Sequence, residues 1–386
     1  MAKMNLTSKL YQKSVLEKIK NTDWTIGTTS PFVVELDPTT VCDLACPGCI
    51  SGDLLNQKNP LDRGFSTEKI NSLCDEFVET GVKAVILIGG GEPLAHPSTM
   101  GIIKKLGENN IQIGLTTNGT LIHRHLDVIS KYVNWTRVSV DAGTDEMFLN
   151  LRPTINHKSK FNIVIENMKN LSKIKKGNLG YSFLIRTKAD GMIENPAGKN
   201  IGLVEVSNVD EIYLAAKLAK SIGCDYFELK PSYDDFHQIV VHSEEDMEKV
   251  KEQLIKVKTL EDDTFQVLES VMLESSIKRE KFGQQEKSYT RCYSAELRTL
   301  VTPSGCYVCP YFRGSEEKMI GDARELSFKE IWKNTRKKII KNLNPSVDCK
   351  NLHCIRHKTN LEIDKIISSS SDNLKDVTLD DKDLFI

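Results

Sequence analysis

Between residue 33 and about residue 230, short runs of apolar residues alternate with stretches in which apolar positions recur every three to four residues. The first pattern is that of a buried strand, the second that of an amphipathic helix. Strands are predicted over 32–36, 84–88, 111–116, 137–140, 181–185 and 226–229, and helices over 67–80, 98–109, 122–132, 160–175 and 209–222. Ser66 offers an N-cap to the first helix and Gly81 a left-handed stop. Six strands, each followed by a helix, imply an α/β fold with a parallel sheet and right-handed crossovers. Beyond residue 230 the rhythm weakens: 244–260 reads as a charged surface helix, and 288–358 is irregular and rich in cysteine. The expected architecture is a helical extension over 1–31, a partial (β/α)6 barrel of the TIM type over 32–260 and a small metal-bound domain over 261–358. The segment 359–386 holds seven acidic and three basic residues, a local charge of −4, and four consecutive serines. It is expected to be an acidic, flexible tail.

Composition narrows the classes. A chain of 386 residues exceeds the usual single core, which agrees with a large domain plus a small one. A formal net charge of −1 gives no global argument for nucleic acid or an anionic membrane. The first twenty residues interleave Lys with apolar residues and lack the continuous core of a secretory signal, and no run is long enough to span a bilayer. The expectation is a cytoplasmic protein, where ten cysteines serve as metal ligands or buried thiols rather than disulfides. Cys42, Cys46 and Cys49 form one group, Cys292, Cys306 and Cys309 a second, and Cys349 and Cys354 a third. Cys74 and Cys224 stand alone in apolar patterns and read as buried thiols.

The segment TTVCDLACPGCISG follows the first predicted strand directly. Its Cys-x3-Cys-x2-Cys spacing lets one loop fold around a cube of iron and sulfide while supplying three ligands for four irons. A zinc site is the alternative, but it normally needs four grouped ligands, and no fourth Cys or His lies nearby. Further short motifs end the next three predicted strands: Gly89-Gly90-Gly91-Glu92-Pro93, then Thr116-Thr117-Asn118-Gly119, then Ser139-Val140-Asp141-Ala142-Gly143. Strand alternation places Ser139 and Asp141 on one face. The C-terminal rim of a parallel barrel is where active sites are built.

This series resembles the radical S-adenosylmethionine (SAM) superfamily over roughly residues 32–231. The resemblance implies a [4Fe–4S] cluster on Cys42, Cys46 and Cys49, with one open iron that binds SAM. The family usually carries an aromatic residue where this chain has Gly48, and meets the adenine there through backbone. Gly90, Gly91, Glu92 and Pro93 are similar to its GGEP motif, which holds the methionine amino group. Thr117 and Asn118 belong to a TNG-like turn, and Ser139 and Asp141 to an S-x-D element that faces the ribose or carboxylate of SAM. The implied reaction is reductive cleavage of SAM to a 5′-deoxyadenosyl radical, with electrons from ferredoxin or flavodoxin.

The C-terminal cysteines lie where other core-forming sequence is sparse, so a metal site would supply stability. The SGCYVCP and GDARELSFKEIWKN stretches resemble the auxiliary-cluster extensions of the same family, called SPASM or, with one cluster, twitch. With five cysteines available, the resemblance implies one auxiliary [4Fe–4S] cluster on Cys292, Cys309, Cys349 and Cys354, with Cys306 as the competing ligand. Zinc, helped by His353 and His357, remains the alternative.

Substrate contacts are expected from strand ends beyond these motifs: Arg152, Arg186, Lys188, Asp190, Lys230, Tyr233 and Asp234. Each also fits a solvated loop charge. Together they point to a polar small molecule, such as a sugar, aminocyclitol or nucleotide-linked metabolite, undergoing dehydrogenation or epimerisation. About 30 residues precede the first strand, short for a leader-peptide domain, so a peptide substrate is the second expectation. A non-catalytic iron–sulfur or zinc scaffold is the third.

Overall fold

A computed structural model describes residues 6–49, 51, 63–188, 206–233, 239–279, 286–369 and 381–386. Six strands, β1 (Val33–Leu36), β2 (Ala84–Leu87), β3 (Gln112–Thr117), β4 (Trp135–Ser139), β5 (Asn178–Leu184) and β6 (Tyr226–Lys230), stand side by side in that order. Every pairing among them is parallel. Alternation gives the sheet two different faces. Val34, Leu36, Ile113, Val138, Tyr181 and Phe227 join the helices in the main core. Burial of each contributes on the order of 1.5–3 kcal/mol. The opposite face carries Glu35, Arg137, Ser182 and Glu228 into the barrel interior.

The helix Thr67–Thr80 begins and ends as its sequence predicts. The Ser66 hydroxyl accepts from the Lys69 N–H at 3.1 Å, and Gly81 takes φ +79°. The helices Thr99–Glu108, Leu126–Tyr132, Phe161–Ile174 and Ile212–Ile222 fill the other expected crossovers.

Two parallel strands were not predicted. β7 (Gln266–Glu269) extends the sheet beyond β6, and β8 (Arg298–Thr302) pairs with β1 on the other side. The parallel sheet therefore has eight strands rather than six. It continues past residue 260, the boundary expected for the barrel. β7 is half polar, Gln-Val-Leu-Glu, so no apolar run marks it, and β8 sits inside the cysteine-rich stretch. The barrel is open. β7 forms one edge, while β8 leads into the antiparallel strands β9 (Gly305–Tyr307) and β10 (Met319–Gly321) at the other.

The segment after β10 is locked down by a capping box between Ser327 and Glu330. Phe328, Ile331 and Trp332 then enter the main core, and the Trp332 indole donates to the Thr28 carbonyl at 3.1 Å.

The expected flexible tail is also corrected. Residues His357–Ser368 form a helix whose Ile363 and Ile366 pack in one cluster with Leu10, Val15 and Ile19 from the N-terminal region. Leu384, Phe385 and Ile386 belong to the same cluster, and the Phe385 ring meets Trp135 of β4 edge-on at 5.3 Å. Arg298 donates to the Ile386 carbonyl at 2.6 Å. These segments form a floor beneath the N-terminal ends of the strands. The acidic tally concealed them because the apolar residues are few but share one face. Among the described residues, no helix is long and apolar enough to cross a membrane.

Candidate functional site

The loop leaving β1 carries Cys42, Cys46 and Cys49. Asp43, inside that loop, anchors it to neighbouring elements. Its carboxylate accepts from Asn118 Nδ2 at 2.8 Å, Thr120 Oγ1 at 2.7 Å and Lys160 Nζ at 2.7 Å. Backbone bonds from Ala45 to Pro153 and from Glu92 to Val41 hold the same loop. Cys46 lies in the electrostatic field of Cys49, and Cys42 in that of Cys46. Weak donors flank the sulfurs: Asn118 Nδ2 stands 3.8 Å from Cys42 Sγ, and Arg152 Nη1 4.0 Å from Cys46 Sγ.

Gly48 has φ +62°, and a Cβ there would strike the Arg186 guanidinium. The absence of a side chain at position 48 thus admits Arg186, which lies in the field of both Cys46 and Cys49. Gly91 is similarly constrained, because a Cβ would collide with the Thr40 and Val41 backbone.

Glu92 is 2% exposed, and its carboxylate accepts from Thr117 Oγ1 at 2.6 Å, the Asn118 N–H at 2.7 Å and the Leu94 N–H at 3.0 Å. Burial pushes its pKa up to about 7 against these hydrogen bonds. Gly90 is buried in the turn before it, and Pro93 opens the short helix Pro93–Ala95.

Asp141 departs from the simple alternation expected of it. It lies past the end of β4 with φ +60°, where its Oδ1 accepts from the Leu184 N–H at 2.8 Å. Its Oδ2 accepts from Arg152 Nε at 2.9 Å in an ion pair. Asp141 thereby orients Arg152 toward Cys46. Ser139 closes β4 opposite Ser182 of β5.

Of the expected substrate-side residues, Arg152 and Arg186 come to the cysteine loop, and Lys230 ends β6 on the interior face. Burial first, and then Arg137, lowers the Lys230 pKa to about 8. Tyr233 lies in the field of Cys354 and Glu228, and burial raises its phenol. Lys188 is exposed. Asp190 and Asp234 lie outside the described residues.

The C-terminal cysteines separate cleanly. Cys309 lies in the field of Cys292, Cys354 and Cys349, and Cys349 in that of Cys292 and Cys354. Cys306 is fully buried on the other face of β9, in the main core, with Asp322, Lys69 and Glu76 as its charged neighbours. His353 Nδ1 accepts from the Ile239 N–H at 3.1 Å, and His357 stacks on Tyr289. Cys74 and Cys224 are buried free thiols, and all ten cysteines are unpaired.

Both cysteine groups fit a cluster by their donor sets. Each thiol's pKa is raised, first by burial, and at Cys42, Cys46, Cys292, Cys309 and Cys349 repulsion from a neighbouring thiolate adds to it, so several thiolates here need a cationic centre. Among the described residues, no three His, Cys, Asp or Glu side chains converge tightly enough for a single ion. Thiolates around a cube of iron and sulfide stand further apart than that.

The rim of a parallel barrel, with three loop cysteines beside a buried glutamate and an Asn-Gly turn, defines a class of cluster-binding α/β proteins. Residues 36–194 match the family model of the radical SAM superfamily, so the chain carries a radical SAM domain. GTP 3′,8-cyclase 2 of Pseudomonas aeruginosa is 33% identical over 118 residues, 30% of this chain and 35% of that protein. The chain thus spans about a third of the length of this curated relative. Among solved structures, anSMEcpe with bound AdoMet and a Kp18Cys peptide is similar with a TM-score of 0.57, at 14% identity over 87% of this chain and 96% of that one. Streptococcus suis SuiB bound to precursor peptide SuiA has a TM-score of 0.56, at 15% identity over 80% and 66%. At such identities the likeness is one of fold.

Asp43, Lys160 and Asn208 were not singled out in the sequence. Asn208 donates to the carbonyls of Asp141 and Leu184 and accepts from the Arg186 N–H, tying the ends of β4 and β5 together. Asp43 had a signal, its place between the first two cysteines. Asn208 had none.

Proposed function

We propose that this protein is a radical SAM enzyme that reductively cleaves SAM and abstracts hydrogen from a polar small molecule, such as a sugar, aminocyclitol or nucleotide-linked metabolite. The observation that carries the reading is the buried Glu92 carboxylate, fixed by Thr117 and Asn118 beside the Cys42 loop. A preorganised acceptor of this kind suits the ammonium of an amino-acid ligand. Cys42, Cys46 and Cys49 would hold a [4Fe–4S] cluster, and Cys292, Cys309, Cys349 and Cys354 an auxiliary one. When bound and reduced by ferredoxin or flavodoxin, the first cluster supplies one electron to SAM, releasing a 5′-deoxyadenosyl radical.

This chain's residues do the placing. Gly90, Gly91 and Pro93 shape the turn that presents Glu92, and Asp141 holds Arg152 against the cysteine loop. Ser139, Arg186, Lys230 and Tyr233 would contact the ligands. The nucleotide chemistry in the name of the cyclase relative supports a small-molecule substrate.

A peptide substrate is the second reading, favoured by the two structural neighbours solved with peptides. The polar interior of the barrel supports the first. Anaerobic incubation of reconstituted protein with dithionite and SAM should yield 5′-deoxyadenosine, and a variant lacking Cys42, Cys46 and Cys49 should yield none. If wild type with an intact cluster leaves SAM uncleaved, the chain acts as a scaffold or electron carrier instead.

A further inference from the structure

Cys46 to Cys49 form a four-residue turn. The Cys49 N–H donates to the Cys46 carbonyl at 3.3 Å, Pro47 fixes the first central position, and Gly48 has φ +62° at the second. Pro followed by a left-handed Gly is the pattern of a type II turn. Its middle carbonyl, that of Pro47, accepts from Arg186 Nη2 at 3.4 Å. A Cβ at Gly48 would overlap the same nitrogen and stand 3.4 Å from Arg186 Cζ. One guanidinium therefore lies against the two residues that separate Cys46 from Cys49.

Its position comes from the scaffold rather than from the loop. Arg186 stands two residues past β5 and is 8% exposed. Its N–H donates to Asn208 Oδ1 at 2.9 Å, and its carbonyl accepts from the Asn208 N–H at 3.0 Å. Asn208 is itself fully buried, and its Nδ2 donates to the carbonyls of Asp141 and Leu184 at 2.8 and 2.9 Å. These bonds fix the point from which the Arg186 side chain reaches the turn. An arginine keeps its charge at any working pH. Held beside an iron–sulfur cluster, a fixed positive charge favours the form that carries the extra electron, and so raises the reduction potential.

We propose that Arg186 is a positioning residue for the Cys42 loop, bracing the Pro47–Gly48 turn and raising the reduction potential of the cluster bound there. This role rests on the reading of that loop as a cluster site given above, and adds to it a charge delivered from beyond β5 in place of a side chain at position 48. Asn208, which holds the Arg186 backbone, acts through it.

The test is a potentiometric titration of the reconstituted full chain with dithionite, followed by electron paramagnetic resonance. The signal missing from a variant without Cys42, Cys46 and Cys49 marks this cluster; the remaining signal marks the auxiliary one and serves as the control. Arg186→Gln should lower the potential of the first cluster, shifting its reduction equilibrium roughly tenfold, about 59 mV for one electron, and leave the second where it was. Arg186→Lys, which keeps the charge, should return most of the shift. Gly48→Ala pushes the guanidinium off the turn and should shift the potential in the same direction by less, which decides the matter even if Arg186→Gln fails to hold iron. An unchanged potential in Arg186→Gln, or in Gly48→Ala where Arg186→Gln holds no iron, overturns the role. So does a shift common to both clusters, or an Arg186→Lys variant that behaves as Arg186→Gln does. Identical signals in wild type and in the variant without Cys42, Cys46 and Cys49 would instead overturn the cluster reading, and this role with it.

Discussion

The guanidinium of Arg186 occupies the space that any side chain at Gly48 would need. A position that departs from the family's usual aromatic is thereby explained by a residue more than a hundred positions later. Gly48→Ala should cost about 1–2 kcal/mol, most of it left-handed backbone strain, with a smaller, overpacking part from displacing the flexible end of Arg186. Adding Arg186→Ala should recover the overpacking part and leave about 1 kcal/mol of strain. Thermal unfolding of the two single variants and the double variant measures the coupling; strictly additive costs would refute the contact.

Glu92 gives a pH dependence. Its folded pKa of about 7 lies above the ordinary 4.5 because burial disfavours the charge. Its contribution to folding is therefore complete below about 4.5 and is lost as pH rises through 7. An ammonium ligand favours the ionised form, so SAM should bind more tightly as pH rises from 6 to 8. Glu92→Gln should bind more weakly and show a flat profile over the same range. A wild-type dissociation constant independent of pH there would refute the assignment.

The ion pair between Asp141 and Arg152 is mostly buried, with side-chain exposures of 5% and 16%. Removing one partner strands the other, so Asp141→Asn should destabilise by roughly 2–4 kcal/mol. Asp141→Asn with Arg152→Met should lose less than the sum of the single changes. Chemical denaturation of all three variants provides the comparison.

The separation of Cys306 from the other C-terminal cysteines predicts an asymmetry in metal content. Cys309→Ser should remove roughly four irons per chain from the reconstituted protein, and Cys306→Ser none. Cys306→Ser should instead lower stability, because a hydroxyl replaces a thiol in the main core. Iron analysis beside a melting curve distinguishes the two, and zinc in place of iron would overturn the auxiliary-cluster assignment.

Phe385 anchors the floor of the barrel. Phe385→Ala should cost about 3–5 kcal/mol and alter Trp135 fluorescence, since the two rings touch. Unchanged emission would mean that the segment does not dock in solution.

Much of this architecture was legible because period and turn chemistry agree locally. The first six strands, the caps at Ser66 and Gly81, and the loops at their C-terminal ends all depend on near neighbours. What was illegible depends on distant ones. β7 and β8 are short and become strands through parallel partners far away in sequence. The reading of 359–386 as a tail weighed charge and overlooked Leu384, Phe385 and Ile386, whose burial requires a surface from the other end of the chain. The roles of Asp141 and Arg152 followed a similar logic. Spacing marked Asp141, but only the left-handed turn after β4 reveals that its carboxylate is engaged by arginine.

β1 runs directly into the Cys42 loop, and β8 is bracketed in sequence by Cys292 and Cys309. Four consecutive residue pairs, from Val33 with Arg298 to Leu36 with Val301, hold the two strands in register. That ladder therefore ties the segment bearing one cysteine group to the segment bearing the other. The roots of the two cysteine segments are thus joined by backbone hydrogen bonds rather than by movable side chains, so substitutions of pocket side chains would leave that connection intact.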